Sequence, residues 1–91
     1  MYLEIVSPEA TLFSGEIESI TVPGVDGEFQ MLNNHAPIVS ILSAGEVKIA
    51  GTITLEEDVQ DKFISKDGKT VLTINSGTVE MKDNKVIVLA D

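Results

Sequence analysis

The apolar residues of this chain recur at every second position almost throughout, in short runs cut by Gly, Pro, Asn and Asp. Successive side chains of a β-strand point to opposite faces, so this pattern demands half-buried strands rather than helices. Tyr2 to Val6, Ala10 to Phe13, Glu16 to Val22, Glu28 to Leu32 and Glu46 to Ala50 alternate in this way. So do Thr70 to Asn75, Thr78 to Met81 and Lys85 to Leu89, while Thr52 to Leu55 and Lys62 to Ser65 are weaker strand candidates. Pro37 to Leu42 is nearly continuously apolar, as a central strand with a proline at its start would be.

Several boundaries can be read locally. Ile17 has odd parity whereas Ile20 and Val22 have even parity, and one extra residue near Glu18-Ser19 restores a single buried face, so a β-bulge is expected there. Pro23-Gly24 and Asp26-Gly27 are turn dipeptides, and Lys66-Asp-Gly-Lys69 fits a two-residue type I′ hairpin. Glu56 to Asp61 is an acidic run suited to a solvated loop tip, although Leu55, Val59 and Phe63, spaced by four, also fit one helical turn. About ten short strands with a turn signal every several residues predict an all-β fold: an antiparallel β-sandwich or flattened barrel in two sheets, one domain over residues 1–91.

Composition narrows the function. The aromatic residues are Tyr2, Phe13, Phe29 and Phe63, so the core must be built from Ile, Val and Leu, which again favours sheet. The absence of cysteine excludes disulfides and thiolate metal sites. Met1 leads straight into a strand pattern and no run reaches the ~18 apolar residues of a membrane-spanning helix, so a soluble protein without membrane insertion or a targeting peptide is expected. Fifteen acids against six lysines and no arginine give a net charge of -9, which argues against nucleic acid and anionic lipid and for a partner with basic loops.

The residues with chemical potential concentrate in Gly24 to Pro37, "GVDGEFQMLNNHAP". His35 is the only histidine and would have to act alone as base or metal ligand. Ser40 with His35 and a distant Asp supplies the residue types of a triad, yet no serine sits in a nucleophile-elbow pattern. Asp26 with Glu28, and Glu56, Glu57, Asp58 with Asp61, are acidic groups without the ordered spacing of a calcium loop. Phe29, Met31 and Leu32 cannot all face one core from one strand. At least one must point outward, and beside Glu28 and His35 it would form a docking edge; the alternative is a well-packed loop of structural purpose.

Four segments carry a family resemblance: "EIVSPEATLFSGEIESITVPGVDGEF" (Glu4 to Phe29), "NHAPIVSIL" (Asn34 to Leu42), "GEVKI" (Gly45 to Ile49) and "SGTVEMKDNKVIVLAD" (Ser76 to Asp91). In order and spacing they resemble the N-terminal β-sandwich of the epsilon subunit of F-type ATP synthases. That resemblance implies two five-stranded sheets and a non-catalytic, cofactor-free subunit of a hetero-oligomer. It would sit in the central stalk, at the foot of the gamma subunit and against the polar loops of the membrane c ring. It would act there in ion-driven ATP synthesis, peripheral on the cytoplasmic side of a bacterial inner membrane. The stretch from Asp26 to His35 would face the ring, with Asp26, Glu28, Met31, Leu32 and His35 as contacts and Glu28 meeting basic loop side chains. The alternative is a free-standing sandwich that binds another protein or a carbohydrate.

Three departures from the family pattern are visible. Gln30 stands where glycine is usual, and Asn33 and Asn34 where proline or glycine are usual. The segment from Gly51 to Gly68 is longer than the family's connection. The sequence ends at "VLAD", where the family continues into a regulatory helical hairpin, so coupling without inhibition is the expectation.

Overall fold

The computed structural model describes residues Met1–Asp91. Alternation produces ten strands: β1 (Tyr2–Val6), β2 (Thr11–Glu16), β3 (Ser19–Gly24), β4 (Gly27–Leu32), β5 (Ile38–Leu42), β6 (Gly45–Ala50), β7 (Phe63–Lys66), β8 (Lys69–Ile74), β9 (Gly77–Lys82) and β10 (Lys85–Ala90). One 3-10 segment, Glu57–Lys62, precedes β7. The strands form two half-sheets of five, ordered β2-β1-β10-β9-β5 and β4-β3-β6-β8-β7, joined by a single bridge between Gly24 and Leu42. A continuous hydrogen-bonded path thus folds back on itself around one core. Leu3, Ile5 and Val86 of one half and Ile20, Val47 and Ile49 of the other are fully buried in it. Each such side chain contributes about 1.5–3 kcal/mol by leaving water. No helix is long and apolar enough to cross a membrane.

The expected sandwich of about ten strands is present, with one pairing against expectation. β1 lies parallel to β10, Tyr2 opposite Lys85 through Val6 opposite Leu89, and all other pairs are antiparallel. Period two is the same for both senses of pairing, so the direction of a neighbour is set by tertiary topology.

The expected bulge at Glu18-Ser19 is a corner instead. The Ile17 N–H donates to Met1 O at 2.9 Å in one half, and the Glu18 N–H to Ala50 O at 2.9 Å in the other. Parity changes because the chain changes sheets. The ladder irregularity lies between Ile5 and Val6, where Ile5 pairs with Phe13 and Val6 with Thr11. Leu12 is the extra residue, which lets Leu12 and Phe13 both be buried although adjacent.

Three smaller corrections and two agreements follow from partners. Pro23-Gly24 belongs to β3, and the turn is Val25-Asp26; the Pro23 carbonyl accepts from Ser43 N–H at 2.8 Å where β6 has departed. Thr52 to Leu55 finds no strand to pair with and is irregular, with Ile53 and Leu55 packed on the core. The helical reading holds after it: Val59 N–H donates to Glu56 O at 3.1 Å, and Val59 and Phe63 are buried. β5 is not a central strand, since it pairs fully only with β9. The β7–β8 turn has the expected form, with φ of 52° at Asp67 and 76° at Gly68.

Gly77 opens β9 between two neighbours, opposite Ala90 and Leu42. A Cβ there would lie 2.2 Å from the Leu89 carbonyl oxygen, which is backbone and cannot rotate away. Gly77→Ala is expected to cost about 2–3 kcal/mol by overpacking, lowering the thermal midpoint by roughly 10 °C or more. A thermal scan with an unchanged midpoint would show that β9 can shift at no cost.

Candidate protein-interaction site

β4 determines where the expected contacts stand. It is an edge strand on β3, with Glu28 opposite Pro23, Gln30 opposite Thr21 and Leu32 opposite Ser19. Its alternation turns Glu28, Gln30 and Leu32 outward and Phe29 and Met31 toward the core. Met31 is fully buried opposite Ile20, so it is a core residue and not a contact. The expectation for Met31 fails because it shares a face with Phe29. Leu32 is the outward member of the trio, 56% exposed.

Asp26 is exposed with Val25 at the tip of the β3–β4 hairpin. Glu28 lies near that tip, its carboxylate 3.1 Å from Lys48 Nζ. Both side chains are solvent-accessible, so this pair contributes about 0–1 kcal/mol. The Glu28 carboxylate therefore remains able to exchange partners.

His35 belongs to the loop at the other end of β4. Six strand residues at ~3.3 Å each put it about 20 Å from the hairpin tip. The structure thus divides the stretch into a tip bearing Asp26 and Glu28 and a far end bearing Leu32 and His35. The far loop is tightly held: His35 N–H donates to Leu32 O at 3.0 Å, and His35 Nδ1 lies 2.7 Å from Ala36 O. The Asn84 amide spans to it in both directions, accepting from Asn34 N–H and donating to Asn33 Oδ1, each at 2.8 Å. The N-terminal amine donates to the same Asn33 oxygen at 3.1 Å. Asn34 itself takes a φ of 63°, a conformation asparagine tolerates better than most residues. These bonds are how Asn33 and Asn34 build a firm loop without proline or glycine.

Other candidates do not converge. The Ser40 hydroxyl donates to Ile41 O at 3.3 Å within its own strand, away from the His35 ring's carbonyl partner. Glu56, Glu57, Asp58 and Asp61 are exposed along the 3-10 segment, and no three His, Asp or Glu side chains gather as a metal-binding group.

A second surface was missed by the sequence reading. Val39 (76% exposed), Ile41 (64%) and Leu89 (51%) share the outer face of the β5-β9-β10 half. The register sets Val39 beside Glu80 and Ile87, and Ile41 beside Thr78, Leu89 and Val6. Ile87 and Val6 are half-buried there, and the exposed Thr78 and Glu80 of β9 stand between the apolar pair on β5 and the apolar residues of β10 and β1. The signal was in the apolar run from Ile38 to Leu42, broken only by Ser40, which two-sided burial explained equally well.

The comparisons with known proteins agree with this architecture. Residues 1–91 match the family described as ATP synthase, Delta/Epsilon chain, beta-sandwich domain. The ATP synthase epsilon chain of Campylobacter curvus is 36% identical over 91 residues; the match takes in 100% of this chain and 60% of that protein's length. That of Chlorobium limicola is 35% identical over 89 residues, 98% of this chain and 86% of the relative. Among solved structures, one described as the central stalk and c ring of the Tetrahymena thermophila mitochondrial ATP synthase superposes with a TM-score of 0.75. That structural match is 16% identical, and covers 99% of this chain and 62% of the other, so it attests the fold. A full-length family match, together with a relative covered over most of its own length, establishes that this chain belongs to the ATP synthase delta/epsilon-chain β-sandwich family.

Proposed function

We propose that the chain is a non-catalytic rotor element of an F-type ATP synthase, joining the gamma subunit to the polar loops of the c ring during ion-driven ATP synthesis. The observation that carries this reading is the presence of two different surfaces on one rigid body. The outer face around Val39, Ile41 and Leu89 suits a lasting contact with a neighbouring subunit, because burying it removes these exposed apolar side chains from water. The hairpin tip with Asp26 and Glu28 suits a charged, wet contact with basic loops, where individual pairs are weak and orientation matters more than affinity.

The gamma subunit meets the apolar face in this reading, and the ring meets the Asp26–Glu28 tip. Met31 takes no part in either contact. Leu32 and His35, the other expected ring contacts, stand at the opposite end of β4. The net charge of -9 keeps the body off anionic lipid, so it remains peripheral, on the cytoplasmic side of a bacterial inner membrane. Torque transfer needs stiff parts, and both surfaces stand on paired strands and a bonded loop.

Affinity purification of the tagged chain from membranes of its own cell is the test. Stoichiometric recovery of gamma and the c ring is expected. Recovery only as a free monomer in the soluble fraction would favour a free-standing binding module.

A further inference from the structure

The fold leaves four strand edges unpaired, and it protects three of them. β4 carries Glu28 and Gln30 outward along its free edge. β7 is only four residues long and ends in Lys66. The segment through Thr54 and Glu56 lies alongside β2, sharing a cavity with Thr11 to Ser14. Charge, shortness and cover are the usual defences of an edge against unwanted pairing. β5 has none of them between Ile38 and Ile41.

Its backbone is also correctly turned. Ile41 O accepts from Val25 N–H at 3.3 Å, on the side away from β9. Residues of like parity present their peptide groups to the same side, so the Val39 N–H, the Val39 carbonyl and the Ile41 N–H all face the open edge. None of the three has a backbone partner there. The side chains of the same two residues are the most exposed of the large hydrophobics. Shallow depressions of about 350 and 470 Å³ flank them, the first beside Val39 and Glu80 and the second beside Ile41, Thr78 and Leu89.

We infer that β5 is a strand-addition site: the protein partner docks by laying an extended segment along Val39 to Ile41, continuing the half-sheet by one strand. Backbone bonds supply the attachment and the apolar outer face supplies the selectivity, so the segment should carry apolar side chains at alternate positions on that face. The Val25-Asp26 tip closes one end of the groove and Pro37 limits the other, which sets the register. The inference rests on the gamma subunit being the partner of this face, and specifies how it is held.

The test is amide hydrogen exchange on the chain free and bound to the gamma subunit of its own synthase. Val39 and Ile41 amides are expected to exchange freely alone and to slow at least tenfold in the complex. Val39→Pro removes the edge N–H without touching the β9 ladder, and should weaken gamma binding tenfold or more. Val39→Ala, which keeps the N–H, should weaken it several-fold less. A complex that forms with both amides still exposed, or equal losses for the two variants, overturns strand addition and leaves the rotor reading intact. Failure to bind gamma at all overturns the rotor reading itself. Protection of both amides in the chain alone, with a dimer by sedimentation, would assign the edge to a second copy and overturn the inference.

Discussion

Ile20→Asp is expected to abolish cooperative unfolding at 25 °C, leaving a chain with no folded baseline. Ile20 sits mid-way along β3, fully buried, opposite Met31 on one side and Ile49 on the other. Emptying such a site of its apolar atoms alone costs about 2–5 kcal/mol. A carboxyl placed there has no donor within reach among Met31, Ile49 and Val22, and an unpaired buried polar group adds several kcal/mol more. A 91-residue domain has about 5–13 kcal/mol in total, so the two together take most or all of it. Ile20→Val is the control and should lose only about 0.5–1.5 kcal/mol. Circular dichroism during urea titration distinguishes them. A normal sigmoidal transition for the Asp variant would mean that Ile20 is not at the centre of the core.

The second large effect is functional. Glu28→Lys should sharply reduce ATP synthesis driven by the ion gradient in membranes, while the domain stays folded. The stability change is limited to about 1 kcal/mol because the lost Lys48 pair is exposed. In the proposed rotor role coupling suffers, because the charge reverses at the tip assigned there to basic loops. The double exchange Glu28→Lys with Lys48→Glu separates internal from external roles, since it restores the pair while keeping the altered tip. If the double exchange restores synthesis, Glu28 serves Lys48 and not the ring. If the single variant leaves synthesis unchanged, the tip is not the ring contact.

How much of this was legible depended on the range of the signal. Alternation along β1, β6 and β8 reported local geometry, and those strands stand within a residue of expectation. At Ile17 a parity break was visible, but a bulge and a sheet-changing corner produce the same break, and only the positions of Met1 and Ala50 decide between them. Thr52 to Leu55 alternates without a partner, so propensity there had nothing to pair with. In the candidate site, parity already placed Leu32 opposite in sense to Phe29 and Met31, and the structure agrees. What parity could not supply was that β4 holds Asp26 and His35 apart. For β5, two apolar faces looked like double burial because a strand covered by its own fold and one awaiting another protein have the same composition.

The side-by-side placement of the first and last strands has a consequence for biosynthesis. The β3–β4 and β7–β8 hairpins can zip while the polypeptide is still emerging from the ribosome, since their halves are neighbours in sequence. β1 must wait for β10, more than eighty residues later in the sequence, and until then offers a bare flank to the nascent chain's surroundings. Completion of that half is therefore a late event governed by a long-range closure, which places the domain among slow, millisecond-to-second folders.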